Sequence, residues 1–223
     1  TAKLLPSDPT VWKRFGSSVS LQNDVIIVGD EADGFSGGET GAVYVFGFNG
    51  LGWTQLQKLV GSNSQPYDRF GSSVALQGTE LVISAPEREV GTIDRVGALY
   101  VFRLNGALWQ EHQYIVSPAM EVQDYLGKSL ALSGNLLVAG APSNWGSSAH
   151  VFVRSGDTWT FAHRIVPSST AIQIEFGTSV AIRRSSIFVG CPNDMVIAGP
   201  EGIESGGAVY GFEPDGGQGG GAP

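Results

Sequence analysis

The sequence predicts an all-β fold assembled from four copies of one four-stranded unit, and three observations predict it. The first is a recurrent opening: Phe15-Gly16-Ser17-Ser18-Val19, Phe70-Gly71-Ser72-Ser73-Val74, Leu126-Gly127-Lys128-Ser129-Leu130 and Phe176-Gly177-Thr178-Ser179-Val180. The second is a triplet that starts 14 residues after each opening: Gly29-Asp30-Glu31, Ser84-Ala85-Pro86, Gly140-Ala141-Pro142 and Gly190-Cys191-Pro192. The third is an apolar run over 41–46, 97–102, 147–152 and 207–212 that ends each time on Phe. Repetition at a fixed period marks units that bury their apolar faces only against their neighbours.

Within the second copy the elements follow in order. Residues 71–76 form a first strand, closed by a turn at Gln77-Gly78-Thr79. A second strand over 81–84 leads into a loop over 85–96, and a third strand covers 97–104. Asn105-Gly106 signals a hairpin, and the fourth strand runs over about 108–116. These runs are β-branched and aromatic and are bounded by Gly, Pro, Asn and Ser. No segment keeps a 3.6-residue period. Trp53, Trp109 and Trp159 each fall seven residues after the Phe of the third strand. That constancy marks a packing position in the outer strand, because Trp buries a large area; the sharper reading is a ring exposed to stack on a sugar.

The ends complete the scheme. Lys3-Leu4-Leu5 precedes Phe15 by the interval that separates Lys58-Leu59-Val60 from Phe70, Tyr114-Ile115-Val116 from Leu126 and Arg164-Ile165-Val166 from Phe176. Residues 2–6 therefore read as a fourth strand, and the last copy stops after its third strand at Phe212. Radial four-stranded antiparallel sheets closed by a strand from the other terminus describe a β-propeller. Closure matters because an unpaired edge recruits other chains. The expected domain is 1–212, with blades over about 15–60, 70–117, 126–167 and 176–212 plus the strand 2–6, followed by a Gly-rich tail over 213–223. Four closed blades are the first expectation. A segment of a larger ring, or two chains completing an eight-bladed one, are the others. The missing initiator Met at Thr1 is expected of a chain processed or cut from a longer one.

The pattern resembles the FG-GAP repeats of the integrin α-subunit propeller and of many secreted proteins. The Phe-Gly pair stands in three copies and is Leu126-Gly127 in the third; the Gly-Ala-Pro triplet is complete only at Gly140-Ala141-Pro142. The resemblance implies an extracellular or cell-surface location and a ring of about seven blades. It also raises calcium, which such blades often hold in an Asp-rich loop between their first two strands. The corresponding turns here are 22–24, 77–79, 133–135 and 183–185, and they hold one carboxylate among them, Asp24. Ca²⁺ needs some 6–8 converging oxygens, so the family's metal position does not carry over and no cofactor is expected. A weak alternative is Asp30 with Asp33, whose Asp33-Gly34 pair also reads as turn chemistry.

Composition narrows the partners. Net charge is −8 and charged residues are 15% of the chain, which argues against nucleic acid and anionic membrane surfaces. No apolar run is long enough for membrane insertion. One cysteine, Cys191, excludes an internal disulfide and reads as a small buried residue, since Asp30, Ala85 and Ala141 hold its place elsewhere. No Asn-x-Ser/Thr sequon is present. Gly127-Lys128-Ser129 lacks the earlier Gly and following helix of a phosphate loop, and no Gly-x-Ser-x-Gly occurs. His150 takes the place of Tyr44, Tyr100 and Tyr210, which reads as structural.

The variable segments join the second and third strands, and binding residues concentrate on loops held by a rigid scaffold. The candidates there are Asp30, Glu31 and Asp33, then Glu87 and Glu89, then Trp145, then Asn193, Asp194, Met195 and Ile197. The apolar stretch 195–200 reads either as a contact surface or as a loop folded over its own blade. The expected function is non-catalytic: an extracellular interaction, adhesion or assembly module that binds a protein partner or itself. A lectin holding sugar between blades is the alternative, and an enzyme with a site assembled from several blades is the third reading.

Overall fold

A computed structural model describes residues 2–9, 13–32, 40–143, 146–168, 175–197 and 203–213. The first blade is β1 (Phe15–Gln22), β2 (Val25–Asp30), β3 (Ala42–Phe48) and β4 (Trp53–Leu59), antiparallel in that spatial order. The second is β5 (Val74–Gln77), β6 (Glu80–Ala85), β7 (Ala98–Asn105) and β8 (Leu108–Ile115). The third is β9 (Ser129–Ser133), β10 (Leu136–Ala141), β11 (Ser148–Ser155) and β12 (Thr158–Ile165). In the fourth, β13 (Ser179–Arg183), β14 (Ser186–Cys191) and β17 (Ala208–Phe212) pair in sequence. Between β14 and β17 a separate hairpin is formed by β15 (Met195–Ile197) and β16 (Ile203–Ser205). These are the blades of a four-bladed β-propeller.

Strand chemistry follows position. In blade 2 the second strand is covered on both faces, with every residue of β6 buried, as a central strand requires. The outer strand β4 alternates between half-buried and exposed positions with the period of two that the pleat imposes. Turns between the third and fourth strands are tight. Asn105 pairs with Leu108 around Gly106, at φ +62°, and Ser155 pairs with Thr158 around Gly156, at φ +58°. The first blade instead has a four-residue loop between Phe48 and Trp53, held by the Asn49 side chain, which accepts from the amides of Leu51 and Gly52.

Three hydrophobic clusters join the blades. Ile27, Val43, Val45 and Leu59 of blade 1 pack on Phe70, Tyr100, Phe102 and Trp109 of blade 2. Val82, Leu99, Val101 and Ile115 meet Leu126, Leu137, Phe152 and Trp159 of blade 3. Val138, Ala149, Val151 and Ile165 meet Phe176, Ile187, Val189 and Cys191 of blade 4. The same amide clamp recurs between outer strands. The Gln57 side chain donates to the Trp109 carbonyl at 2.8 Å and accepts its N–H at 2.9 Å, and Gln113 does the same to Trp159. The fourth cluster differs: Val28, Ala42, Tyr44 and Phe46 pack with Leu4, Phe15 and Trp53, all from blade 1 and the segment before it.

The expected closing strand is where the structure departs from the sequence reading. Residues 2–6 form no strand, and the fourth sheet ends at β17 among the described residues. Segment 2–9 lies along blade 1 instead. Ser7 exchanges two hydrogen bonds with Gln55, each 2.9 Å, and Asp8 accepts from Tyr44 at 2.8 Å and from Lys58 at 2.7 Å. The physical reason is local: Leu4 has an apolar face beside it on Tyr44 and Phe46, and Asp8 has two ammonium groups, Lys13 and Lys58, within ion-pair distance. The tail after Glu213 lies outside the described residues.

Candidate functional site

The ends of the second strands, the starts of the third strands and the turns that open each unit lie at one end of the propeller. Arginine and glutamate from successive repeats form a chain across this end. Arg14 pairs with Glu31 at 2.8 Å, Glu31 with Arg69 at 3.6 Å, and Arg69 with Glu87 at 2.7 Å. Arg95 lies 4.0 Å from Glu87 and donates to the Tyr125 hydroxyl at 3.3 Å. Burial works to raise the Glu31 carboxyl, but hydrogen bonds from Arg14 and Ser72 and the charge of Arg69 outweigh it, so it titrates below the usual range. Glu31 is therefore engaged between blades 1 and 2, and Glu87 pairs within blade 2. Arg14 and Arg69 were not singled out by the sequence reading. They stand one residue before Phe15 and Phe70, and that shared phase is the signal that points to them.

The other candidates divide. Asp30 is fully buried and accepts the Arg14 amide at 2.7 Å. Asp194 is buried; its carboxylate accepts from the Tyr210 hydroxyl and its carbonyl from the amides of Gly206 and Gly207 at 3.1 Å. Both secure their own loops. Asn193 is exposed beside Asp194. Met195 and Ile197 sit on β15, whose hairpin replaces the expected irregular loop. Asp33 and Trp145 lie outside the described residues. Glu89 is exposed and, with Tyr67, Asp68, Glu87, Asp94 and Arg95, lines a pocket of about 580 Å³. Among the described residues no group of three or more His, Cys, Asp or Glu is placed to hold a metal ion. Burial pushes the Cys191 thiol up to about 12, with Asp194 and Glu175 adding to it, so the thiol is not poised as a nucleophile.

The second candidate region is the outward side of blade 4, where the repeat provides its own reference. Ile27, Val82 and Val138 hold one position in blades 1 to 3 and are fully buried, whereas Phe188 at that position is 40% exposed. Val43, Leu99 and Ala149 are fully buried, whereas Val209 is 72% exposed. Blade 1 shows the opposite face bare. Val19 and Leu21 are 61% and 63% exposed, while their counterparts Val74, Leu130, Val180, Leu76, Leu132 and Ile182 all pack into clusters with the preceding blade. Beside β17 a groove of about 640 Å³ opens between blades 3 and 4, lined by Val151, Ile165, Ile187 and Phe212. At the two other junctions an outer-strand Trp is buried, Trp109 and Trp159.

A repeated antiparallel blade headed by a Phe-Gly or Leu-Gly turn in each unit defines a propeller repeat protein. The FG-GAP repeat family model matches residues 1–46 and 53–102, the stretch that spans the first two units of the propeller. Strand order and register carry the same unit through the third and fourth. No curated protein matches the chain. Among solved structures, Saccharomyces cerevisiae Sqt1 aligns over 93% of this chain and 85% of its own at 7% identity, with a TM-score of 0.28, a likeness too slight to argue from.

Proposed function

We propose that this chain is a non-catalytic interaction or assembly module that works outside the cell or at its surface. The observation that carries the reading is the unfinished fourth blade. β17 is an edge strand, paired with β14 on one side and with no strand on the other among the described residues, and Phe188 and Val209 there are exposed. Such an edge accepts an added strand: backbone hydrogen bonds supply affinity and the flanking apolar groove supplies specificity. The loop carboxylates support the same reading, because Glu31 and Glu87 are held in ion pairs with Arg14 and Arg69. The location rests on the FG-GAP repeats alone.

The test is a peptide of residues 53–60, an outer strand of the protein's own blade 1, titrated by fluorescence anisotropy. Saturable binding is expected, and its absence would overturn the reading. The lectin alternative is favoured by one place, the pocket where Tyr67 stands with Glu89 and Asp94, since a ring and carboxylates together suit a sugar. Saturable sugar binding on a glycan array, lost in Tyr67→Ala, would establish that reading instead.

A further inference from the structure

The two bare faces of this chain are the two halves of an interface it already makes three times. We propose that blade 4 of one copy receives blade 1 of a second copy, head to tail, with residues 2–6 of the second copy completing the fourth sheet beside β17. This rests on the interaction-module reading and names its partner.

The close approaches show that both faces are shaped for a neighbour. At the junctions between blades 1 and 2 and between 3 and 4, a glycine of the triplet lies against the carbonyl of the next Phe-Gly turn: a Cβ on Gly29 would overlap the Gly71 oxygen, and one on Gly140 the Gly177 oxygen. Gly190 stands at the same position in blade 4, yet a Cβ there would meet only Ser179 of its own blade. Gly41 and Gly97 lie against the backbone of Phe70 and Leu126, whereas Gly207 meets only Pro192. Ser18 and Ser129 donate to the next blade's Gly71 and Gly177 carbonyls at 2.7 and 2.8 Å, and Ser179 at that position is exposed. Blade 4 therefore keeps the glycines and the serine of a receiving face without a turn to receive.

Blade 1 is the matching donor. Gly16 holds φ +95°, like Gly71, Gly127 and Gly177, but nothing lies within 4 Å of its Cβ position, whereas the other three face the preceding blade. Trp53 is half-buried where Trp109 and Trp159 are buried against the blade before. Segment 2–9 already lies along blade 1 as a preceding blade's linker would. Leu4 packs on Tyr44 and Phe46 as Leu59 packs on Tyr100 and Phe102. Asp8 bonds Tyr44 as Asn63 bonds Tyr100. The family match supports this phase, since its first unit begins at residue 1 and its second at Trp53, the start of β4. The internal register then specifies the pairing. Val43 faces Leu59, Leu99 faces Ile115 and Ala149 faces Ile165, so Val209 of one copy faces Leu4 of the next. Such a heterologous contact closes into a ring or continues as a filament.

Two single variants test the contact in a Cys191→Ala background, alanine being the residue at 85 and 141. Facing residues of antiparallel strands lie about 4.5–5.5 Å apart at Cα, within disulfide reach. Leu4→Cys and Val209→Cys chains, mixed and oxidised, are expected to give a covalent heterodimer that neither gives alone. Light scattering of the unmodified chain is expected to show at least two copies, against 23.4 kDa for one. Val19→Asp and Val209→Asp change side chains that are exposed in the single chain, so each is expected to keep the same circular dichroism and fall to one copy. No cross-link with a single-copy mass would overturn the proposal, and so would a disulfide formed within one chain by the double variant. Peptide 53–60 bound by a chain that stays single would leave the interaction module standing while removing self-assembly.

Discussion

The Tyr44 hydroxyl donates to the Asp8 carboxylate at 2.8 Å, and one repeat later the Tyr100 hydroxyl donates to Asn63 at 2.6 Å. The segment before blade 1 is thus held by the bond that holds the linker before blade 2. Burial acts to raise Asp8, but hydrogen bonds from Lys58, Tyr44 and Lys13 dominate and keep it far below the usual carboxylate range. A depressed carboxyl contributes stability that is present above its unfolded value near 3.8 and lost as pH falls below it. Because the side chain is 44% exposed, solvent screening limits the effect to under ~1 kcal/mol. Asp8→Ala should leave global stability nearly unchanged while speeding amide exchange in residues 2–9 at pH 7. An unchanged exchange rate would mean that Leu4 alone holds the segment.

How much of this was legible in the sequence follows from what a repeat encodes. The phase of Phe15, Phe70, Leu126 and Phe176 located every blade, because each unit needs the same turn, strand and close approach. The open ends were not legible. Val19 and Leu21 occupy the positions of Val74 and Leu76, and a motif reads the same whether or not its neighbour is present. The docking of 2–6 was misplaced for that reason: the spacing identifies a fourth strand but not whose third strand it joins. The acidic loop residues were visible as charges, but their partners were not. Glu31 meets Arg14 and Arg69, which belong to other elements, and side-chain pairing across blades leaves no local pattern.

Asp124 carries the clearest pH signature. It is fully buried, one oxygen accepts the Glu121 amide at 2.6 Å, and Oδ1 has no hydrogen-bond partner. Blade 2 holds Asp68 in the same position and gives it Arg88 at 2.9 Å. Desolvation raises the Asp124 carboxyl to about 6, against the pull of the Glu121 amide and Arg164. A raised carboxyl favours the folded state fully below its unfolded value near 3.8, and that contribution is lost as pH rises through 6. Asp124→Asn should therefore raise stability at pH 8 by on the order of 2 kcal/mol and change little at pH 4. Urea unfolding at both pH values measures this; equal effects at the two would exclude the buried charge as the cause.

His150 works in the opposite direction. Its ring nitrogens lie 2.7 Å from the Ser117 hydroxyl and 3.1 Å from that of Ser148, and desolvation, followed by the charge of Arg164, lowers it to about 4. The unfolded chain takes up this proton near 6.5 and the folded chain does not, so stability is present above 6.5 and lost as pH falls through 4. His150→Gln should flatten the acid side of the stability profile between pH 6.5 and 4. A profile of unchanged slope in that window would show that another group dominates it.

The Phe-Gly glycines separate two costs that usually arrive together. Gly71 holds φ +93°, and a Cβ there would lie 2.6 Å from the Ala42 carbonyl oxygen of the preceding blade. Gly16 holds φ +95° with open space around the same atom. An alanine at either position pays the left-handed backbone penalty of roughly 1–2 kcal/mol, but only at 71 must backbone also shift. Gly71→Ala should destabilise the single chain more than Gly16→Ala, by about 1–3 kcal/mol, the range for overpacking a close contact. If blade 1 does dock on a second copy, the order changes with concentration. The alanine at 16 then meets a carbonyl of the neighbour, and its cost grows as copies associate while that at 71 stays fixed. Thermal unfolding of both variants across a hundredfold range of protein concentration reads the two terms apart, and parallel curves would mean that Gly16 faces only solvent in solution.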